Sequence, residues 1–259
     1  MGPPNSKISP MKRVLLPLLA ALTPAFAIAE SSDSSCAGDV YNAVGRYLKI
    51  DNFLPRTAGG TVVAETCKPL PHDPSRLLAA IAYDTGIESK KSLVVALLDA
   101  NMLRVIADYR ETIDEDAVTA VDEGSLRLDT ARYQLTPDLR AFGVRFKSSA
   151  GGPSCGAAAD WDELTLLIQQ KNVLRPVLRR AMQFQNALRG CIGKPTGHDV
   201  WESGKRTISV TSTRTNGFAD LLITDTVTID GNIDPISMGI ETKTRTRSHL
   251  MKYDGKEYR

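Results

Sequence analysis

The sequence predicts a mainly β protein with antiparallel meandering sheets, arranged as a sandwich or a truncated propeller, and a short N-terminal helix. Three observations predict this fold class. Residues 92–110, SLVVALLDANMLRVIADYR, read as two strands around a tight turn at 99–101. Later segments, such as 125–133 and 140–147, alternate between apolar and polar residues, as half-buried strands do. Turn signals separate them, of which Asn216-Gly217 is the strongest.

The hairpin at 92–110 is the stretch around which the other strands are expected to assemble. Its first arm, 93–98, is a continuous apolar run, which is typical of a strand covered on both faces. Its second arm places Arg104 and Asp108 outward. Three strand–turn–strand–turn–strand units, 76–110, 125–179 and 207–258, form a weak internal repeat without intervening helices. This pattern indicates an antiparallel architecture.

The chain divides into three predicted parts: a signal peptide at 1–29, a disulfide-closed cap with a proline-rich linker at 30–74, and an antiparallel β domain at 75–259. Residues 1–29 contain a positive n-region at Lys12 and Arg13, an apolar run at 14–24, and a small-x-small cleavage site at 27–29. The apolar run is too short to span a membrane, and no later run is long enough. The protein is therefore expected to be exported, to the periplasm or the medium, without a transmembrane segment in its mature chain.

The charge of the chain excludes a simple electrostatic case for nucleic acid or an anionic membrane. The whole chain contains 32 Lys and Arg and 30 Asp and Glu residues. Residues 1–29 hold three of the basic residues and none of the acidic ones. The remaining chain thus has a net charge near −1, and we predict no nucleic-acid partner.

Four cysteines, Cys36, Cys67, Cys155 and Cys191, remain after the predicted signal peptide. An even number in an exported chain favours disulfides, and the pairs Cys36–Cys67 and Cys155–Cys191 are preferred because each closes a local loop. Each loop of about 30 residues corresponds to roughly 3 kcal/mol in the chain-entropy model. Zinc is the alternative, but there is no Cys-x-x-Cys pair and the three histidines are scattered. We predict no metal and no cofactor.

Residues 214–226, RTNGFADLLITDT, resemble the FG-GAP repeat of integrin-like propellers, in which a calcium loop precedes an Asp-Leu-aliphatic strand. The segments SLVVALLDANMLRVIADYR, SLRLDTARYQL and MKYDGKEYR are similar to uncharacterised exported proteobacterial proteins. The resemblance covers the part after residue 74 and implies a β-repeat architecture. It departs from the calcium pattern at the ligand positions Ser212, Arg214, Asn216 and Asp220, of which only the last is a carboxylate. A calcium-binding β-repeat protein remains one alternative, and a hairpin that uses Asn-Gly as its turn is the other.

A second alternative is a secreted serine hydrolase. Residues 152–156, GPSCG, match the Gly-x-Ser-x-Gly pattern around Ser154, and Asp160 or Asp162 and His198 follow in a compatible order. That motif needs a parallel strand before it and a helix after it, whereas this chain predicts a β-meander there. The acidic stretch 114–123 is a further candidate for paired carboxylates, and the alternative is a solvated loop.

The remaining candidates are binding residues rather than catalytic ones. Alternation along the last long strand places Lys243, Arg245 and Arg247 on one face, which predicts either a charge-protected edge strand or a basic ridge for an acidic partner. Trp161 and Trp201 are candidate anchors, unless they are buried in packing. The sequence therefore favours an exported, non-enzymatic β-protein that binds a protein or glycan partner, and it assigns no catalytic residue.

Overall fold

The computed structural model describes Gly2 and residues 34–151, 158–190, 200–233 and 240–259. One α-helix, α1, spans Gly38–Leu48, and short 3-10 turns occupy Arg56–Ala58 and Glu123–Ser125. Within these ranges, all other regular elements are strands. In chain order they are β1 Val62–Leu70, β2 Asp73–Asp84, β3 Lys90–Asp99, β4 Arg104–Asp114, β5 Leu126–Thr136, β6 Leu139–Phe146, β7 Ala158–Gln170, β8 Val173–Arg189, β9 Val200–Thr215, β10 Phe218–Ile233 and β11 Ile240–Met251. The mainly β fold class with a short N-terminal helix is therefore confirmed.

The strands form three antiparallel meanders that join into one sheet. The sheet runs in the order β1-β2-β3-β4-β8-β7-β6-β5, and the third meander, β9-β10-β11, attaches to β8. Every pairing between these named strands is antiparallel except that of β4 with β8, which are parallel and meet at one residue pair, Asp108 and Val173. The sheet curls until β5 contacts β1 and β2.

The predicted hairpin is the pair β3–β4, and β3 is covered on both faces as its apolar run predicts. Leu93, Val95 and Leu97 pack into the cluster on the inner face of the curled sheet. Val94, Ala96 and Leu98 point the other way and pack beneath α1. Because alternate side chains of a strand lie on opposite faces, one uninterrupted apolar run serves two separate cores.

The outer face of the first meander is covered by α1. Val40, Tyr41 and Val44 lie on the buried side of this helix and contact the sheet. A disulfide between Cys36 and Cys67 fastens the segment before the helix to β1, as predicted. The backbone N–H of Cys36 also donates to Glu65 Oε2 over 2.6 Å, so the beginning of the helix is held by a covalent bond and a charge-assisted hydrogen bond.

The outer face of β5–β8 is covered by the third meander. Leu164, Leu166 and Leu178 pack there against Leu221 and Ile223 of β10. The C-terminal residues close this cluster. Tyr253 stacks on Phe218 with a centroid distance of 4.1 Å, and the Tyr258 hydroxyl donates to the carbonyl of Ala219.

Part of the segment that the sequence assigned to a separate cap belongs to the sheet. Residues 62–70 form β1, which lies at one end of the strand order, and β2 begins at Asp73. The prolines of the expected linker fit this arrangement. Pro69 lies in the terminal strand β1 and Pro74 is the second residue of β2, positions where a missing N–H is tolerated.

One edge of β8 changes its partner along its length, and this opens the sheet. β8 meets β4 at Val173 and pairs with β9 only from Gln183 onward. Between these points lie Pro176, which has no N–H to donate, and a register shift opposite Leu166 and Leu167. A proline and a bulge both interrupt pairing and bend a strand. Consequently β4 and β9 diverge from β8 and leave a groove beside β4.

A substitution in the doubly covered strand tests this packing. Leu93→Asp or Val95→Asp places an unpaired carboxylate on the inner face, where these side chains are at most 1% exposed. We expect a loss of several kcal/mol, of the order of the whole stability of a domain, and therefore no cooperative thermal unfolding transition. Met102→Asp, at a turn position that is 65% exposed, is the matched control. A normal melting curve for either core variant would contradict the position of β3.

A partly buried ion cluster lies at the end of the β3–β4 hairpin opposite its turn, and its contribution can be measured as the stability of the protein at low pH. Lys91 Nζ lies 2.8 Å from Glu115 Oε2 and 3.7 Å from Asp84 Oδ2. The hydrogen bond from Lys91 is the main reason why the pKa of Glu115 lies below its ordinary value. A carboxylate whose pKa is lower in the folded state stabilises the fold above its unfolded pKa, and this stabilisation is lost as the pH falls through the folded pKa.

We therefore expect Glu115→Gln to cost about 1.5 kcal/mol at pH 7. The difference from the unsubstituted protein should shrink as the pH falls below about 4.3, the ordinary pKa of glutamate, and should disappear only below the lowered pKa of the folded state, where the carboxyl group is protonated in both states. Thermal unfolding at a series of pH values measures this, with the exposed Glu88→Gln as control. A difference that persists unchanged at pH 2 would rule out the ionic explanation.

The second predicted disulfide lies outside the described residues, since Cys155 and Cys191 both fall there. It stays a prediction, motivated by the even cysteine count and consistent with the first bridge, Cys36–Cys67. Peptide mapping without reduction should recover one peptide pair that contains Cys155 and Cys191. Free thiols at these positions would refute the pairing.

Candidate functional site

The predicted cationic residues Lys243, Arg245 and Arg247 lie on β11, and we call them the basic ridge. β11 pairs with β10 and, among the described strands, with no other. Residues 242–250 are all exposed, although strand residues alternate in direction. Both faces of this strand thus contact solvent. The register places the ridge residues on the face that includes Asp225 of β10 and Arg206 of β9.

Buried carboxylates lie beneath the ridge. Arg247 Nε is 3.1 Å from Asp225 Oδ2, and Arg206 Nε is 3.1 Å from the other oxygen of the same carboxylate. Arg245 Nη2 is 3.1 Å from Glu202 Oε2, whose second oxygen accepts from the Asn186 amide. The side chains of Arg245 and Arg247 are 57% and 51% exposed, and those of Glu202 and Asp225 are 11% and 4% exposed. An approaching partner therefore meets guanidinium groups first.

Close packing beneath the ridge fixes Arg206. Its guanidinium lies over the ring of Phe184, 4.6 Å from the centroid, and donates to the carbonyl of Ala181. The Phe184 ring occupies the space beside Gly204, where a Cβ would come within 2.2 Å of a ring carbon. Gly204 thus permits the ring to approach β9, and the ring supports the arginine that shares Asp225 with the ridge.

The acidic stretch 114–123 pairs with other partners. Asp114 is 3.3 Å from Lys90, and Glu115 pairs with Lys91. Asp116 accepts from the backbone N–H groups of Val118 and Thr119, so it stabilises a turn. The guanidinium groups of the ridge pair with Glu202 and Asp225 instead. The acidic stretch therefore does not neutralise Arg245 or Arg247.

The structure places the two tryptophans at different sites, both partly buried. Trp201 lies on β9 opposite Asp230, one residue from Glu202. Since neighbouring strand residues face opposite ways, Trp201 is not on the face of the basic ridge, and the structure does not bring these predicted binding residues together. Trp161 lies on β7 and lines the groove beside β4.

This groove, which we call the β4–β8 groove, lies at an open end of the inner face. It encloses about 400 Å³ and is lined by the last residues of β4, by the inner face of β6–β8, and by the segments around Thr119 and Ser148. Apolar side chains form part of its wall: Leu93, Ile113, Val118, Val144, Phe146 and Trp161. The polar part of the wall is built around Arg179.

Arg179 bridges the gap between β8 and β4. Its guanidinium contacts Glu111 Oε2, lies 3.0 Å from the Tyr109 hydroxyl, and approaches Glu163 Oε1 to 3.5 Å. Burial lowers the pKa of Arg179, but the carboxylates of Glu111 and Glu163 raise it by more, so the group stays cationic. Burial and the hydrogen bond to Glu111 raise the pKa of Tyr109 to about 12, so the phenol stays neutral and donates to the carboxylate.

Asp162 forms another part of the groove wall. Its φ of 57° is in the left-handed region, which is uncommon for a residue within a strand. Arg145 holds its carboxylate through two hydrogen bonds, one of them from Nε to Oδ1 over 2.7 Å. Asp160 and Asp162 are the two aspartates considered for a serine hydrolase. Of these, only Asp162 has a described side chain, and Arg145 holds it in place.

Glu111, Glu163 and Arg179 lie together in this groove, although the sequence did not predict them as a group. Each lies at an inner-face position of its strand, and other inner-face positions of these strands hold apolar residues. Examples are Ile113 after Glu111 and Leu167 after Glu163. Charged residues on the apolar side of a predicted strand were thus a usable signal. The sequence contains no signal that these three side chains meet, since their meeting depends on the curvature of the sheet.

The residues of the segment that resembles a calcium loop make the following contacts in the structure. Asn216 and Gly217 have φ angles of 50° and 83° and form the turn between β9 and β10. Arg214 donates to the carbonyl of Leu135, and Asp220 accepts from the Thr213 hydroxyl. Within the described residues, no group of three His, Cys, Asp or Glu side chains is arranged to hold a metal ion.

Ser154 and His198, on which the serine hydrolase alternative depends, lie outside the described residues. Across the described segments, no helix has the length and apolar character needed to cross a membrane. The chain matches no family model, no curated protein and no solved structure.

Proposed function

We propose that this protein is an exported, non-enzymatic β-protein that binds an acidic partner, a protein or a glycan, through the basic ridge of β11. The observation that supports this proposal is that positive charge lies at the surface and negative charge lies below it. Exposed guanidinium groups of Arg245 and Arg247 cover carboxylates that are nearly buried. Carboxylate, sulfate or phosphate groups of a partner are the complementary chemistry, and arginine is suited to bind them bidentately.

Export is supported by the chemistry of the cysteines. The disulfide Cys36–Cys67 belongs to an oxidising compartment, and the predicted signal peptide leads there. The periplasm or the cell surface supplies acidic glycans and proteins alike. A ridge with solvent on both faces of its strand gives access to a long partner, which a closed pocket does not.

The edge position gives the ridge a second effect. An edge strand has unpaired backbone groups and is prone to pair with another chain. Lys243, Arg245 and Arg247 would face the same residues of a second β11 in an antiparallel pairing, and like charges disfavour this contact. The same side chains thus protect the edge, and the guanidinium groups of Arg245 and Arg247 are exposed to an acidic partner.

The triple variant Lys243→Gln, Arg245→Gln, Arg247→Gln tests the proposal. We expect it to fold, because Asp225 keeps Arg206 and Glu202 keeps Asn186 as partners. Capture of a partner from periplasmic extract should be weakened by about tenfold or more, as expected for the loss of charge-assisted contacts. Binding of the unsubstituted protein should fall as salt is raised.

A matched control removes the same charge elsewhere. Arg46→Gln, Arg132→Gln and Lys147→Gln change three exposed cations that are not on β11, and this variant should bind as the unsubstituted protein does. Thermal melting verifies that both variants fold. Equal binding by the two triple variants would show that general charge, or another surface, is responsible.

A further inference from the structure

The open edge of β11 is long and regular. β11 pairs with β10 in a continuous register from Lys243 to Met251. Residues 240–251 contain no proline, and residues 242–250 are all exposed. Natural proteins prevent unwanted pairing at a strand edge with prolines, bulges, short strands, covering segments or charged side chains. Between Lys243 and Met251, β11 has the charged side chains without the proline or the bulge.

The terminal strand β1 is protected in these other ways. Pro69 lies within it, and its pairing with β2 has register shifts that begin at Val62 and Pro69. Other segments bond to its outer edge: Ser34 and Cys67 exchange backbone hydrogen bonds, and the N–H of Val62 donates to the carbonyl of Leu54. An uninterrupted, exposed edge is therefore a particular property of β11 and not a general property of this sheet.

The backbone of β11 can accept a further strand. In an antiparallel pair, alternate residues direct their N–H and C=O groups toward the partner, and the residues between them direct these groups away. Among the described strands, β10 is the one that pairs with β11. The groups that point away from β10 can thus form hydrogen bonds with an added strand, which is a recurring mode of peptide recognition.

The side chains along this edge favour a particular sequence in an added strand. Arg245 and Arg247 lie on one face, and their side chains are 57% and 51% exposed. Thr244 and Thr246 lie on the opposite face and are exposed as well. Opposite charges and hydroxyl pairs between neighbouring strands stabilise a sheet. The complementary strand therefore has acidic residues at every second position, with threonine or serine between them.

The carboxylates beneath the two arginines do not cancel this preference. Arg206 and Arg247 share Asp225, and Arg245 pairs with Glu202. These groups comprise three guanidinium groups and two carboxylates, so the set keeps a positive charge. The carboxylates are nearly buried, whereas the side chains of Arg245 and Arg247 are about half exposed. An acidic strand beside β11 therefore meets the arginines first.

We infer that β11 binds an extended acidic peptide by strand addition, with alternate acidic side chains against Arg245 and Arg247. This inference rests on the proposed function and narrows it, because it selects a protein segment over a glycan. An acidic glycan can contact the guanidinium groups, but it has no peptide backbone to pair with the edge. A second copy of β11 is disfavoured, because its cations would face the same cations.

The test uses a fluorescein-labelled peptide in which glutamate and threonine alternate. An isomer with the same composition and all its glutamates in one block is the matched peptide, and fluorescence anisotropy measures both. We expect the alternating peptide to bind at least about tenfold more tightly, because its acidic side chains share one face of a strand. Equal binding of the two peptides, or no binding of the alternating one at millimolar concentration, would overturn the inference.

Polygalacturonate tests the choice of a peptide over a glycan. It is an acidic polymer without a peptide backbone, and it is added as a competitor of the labelled alternating peptide. We expect it to compete more weakly, for the same concentration of acidic groups, than the unlabelled alternating peptide does. Equal competition would show that charge alone is recognised and would overturn strand addition.

N-methylation tests the backbone hydrogen bonds separately from charge. A methyl group on a peptide nitrogen removes the donor and leaves the side chains unchanged. One modified peptide carries this group on its glutamates, and another carries it on its threonines. An added strand turns alternate residues toward β11, so one of the two peptides should lose about tenfold or more in affinity and the other should retain it. Equal effects in both would contradict strand addition.

Amide hydrogen exchange gives a structural readout that does not depend on affinity. In the complex with the alternating peptide, exchange should slow at alternate residues of 243–251, where N–H groups gain a partner. NMR spectroscopy resolves these positions individually. Unchanged exchange along β11 in a saturated complex would overturn the inference.

The triple variant of the basic ridge separates this inference from the proposed function. It should bind the alternating peptide at least about tenfold more weakly, and the matched triple control variant should bind it normally. If the ridge variant binds both peptides more weakly but the two peptides bind alike, strand addition fails and the proposed function stands. Equal binding by the two triple variants would contradict both. Thermal melting verifies that each variant folds.

Discussion

The edge of β8 that faces away from β7 pairs with two strands, β4 and β9, which run in opposite directions. The rest of the geometry depends on this constraint. Each backbone N–H and C=O of a strand needs a partner, and one edge can serve only one neighbour at a time. β4 uses this edge at Val173 and β9 uses it from Gln183. The division sends β4 along the inner side and the third meander over the outer side. The groove beside β4 and the position of the third meander are both consequences of this division of one edge.

The sequence was most informative where a pattern is local. The apolar run 93–98 predicts a doubly covered strand, and Leu93 and Val94 are buried on opposite faces. Asn216-Gly217 predicts a turn because it needs positive φ angles, and both residues have them. Alternation at 243–247 predicts a common face for three cations, and the register of β11 provides it.

Non-local contacts set the limit of prediction. Residues 62–70 read as part of a cap, because proline at 69 argues against a central strand but says nothing about a terminal one. The meeting of Glu111 with Arg179, 68 residues apart, depends on a parallel contact that no local pattern encodes. Likewise, alternation predicts that Arg247 and Arg245 share a face, but not that Asp225 and Glu202 lie beneath them.

The disulfide at the N terminus has a consequence for the order in which the chain can assemble. It links residues separated by 31 positions, whereas the surface beneath α1 includes β2 and β3, which follow both cysteines in the chain. A chain that emerges from its N terminus can therefore close the bridge before that surface exists. The tether then keeps the helix close to β1, so that it covers Val94, Ala96 and Leu98 as soon as β3 joins the sheet. Early closure of this disulfide thus shortens the time during which these side chains face solvent.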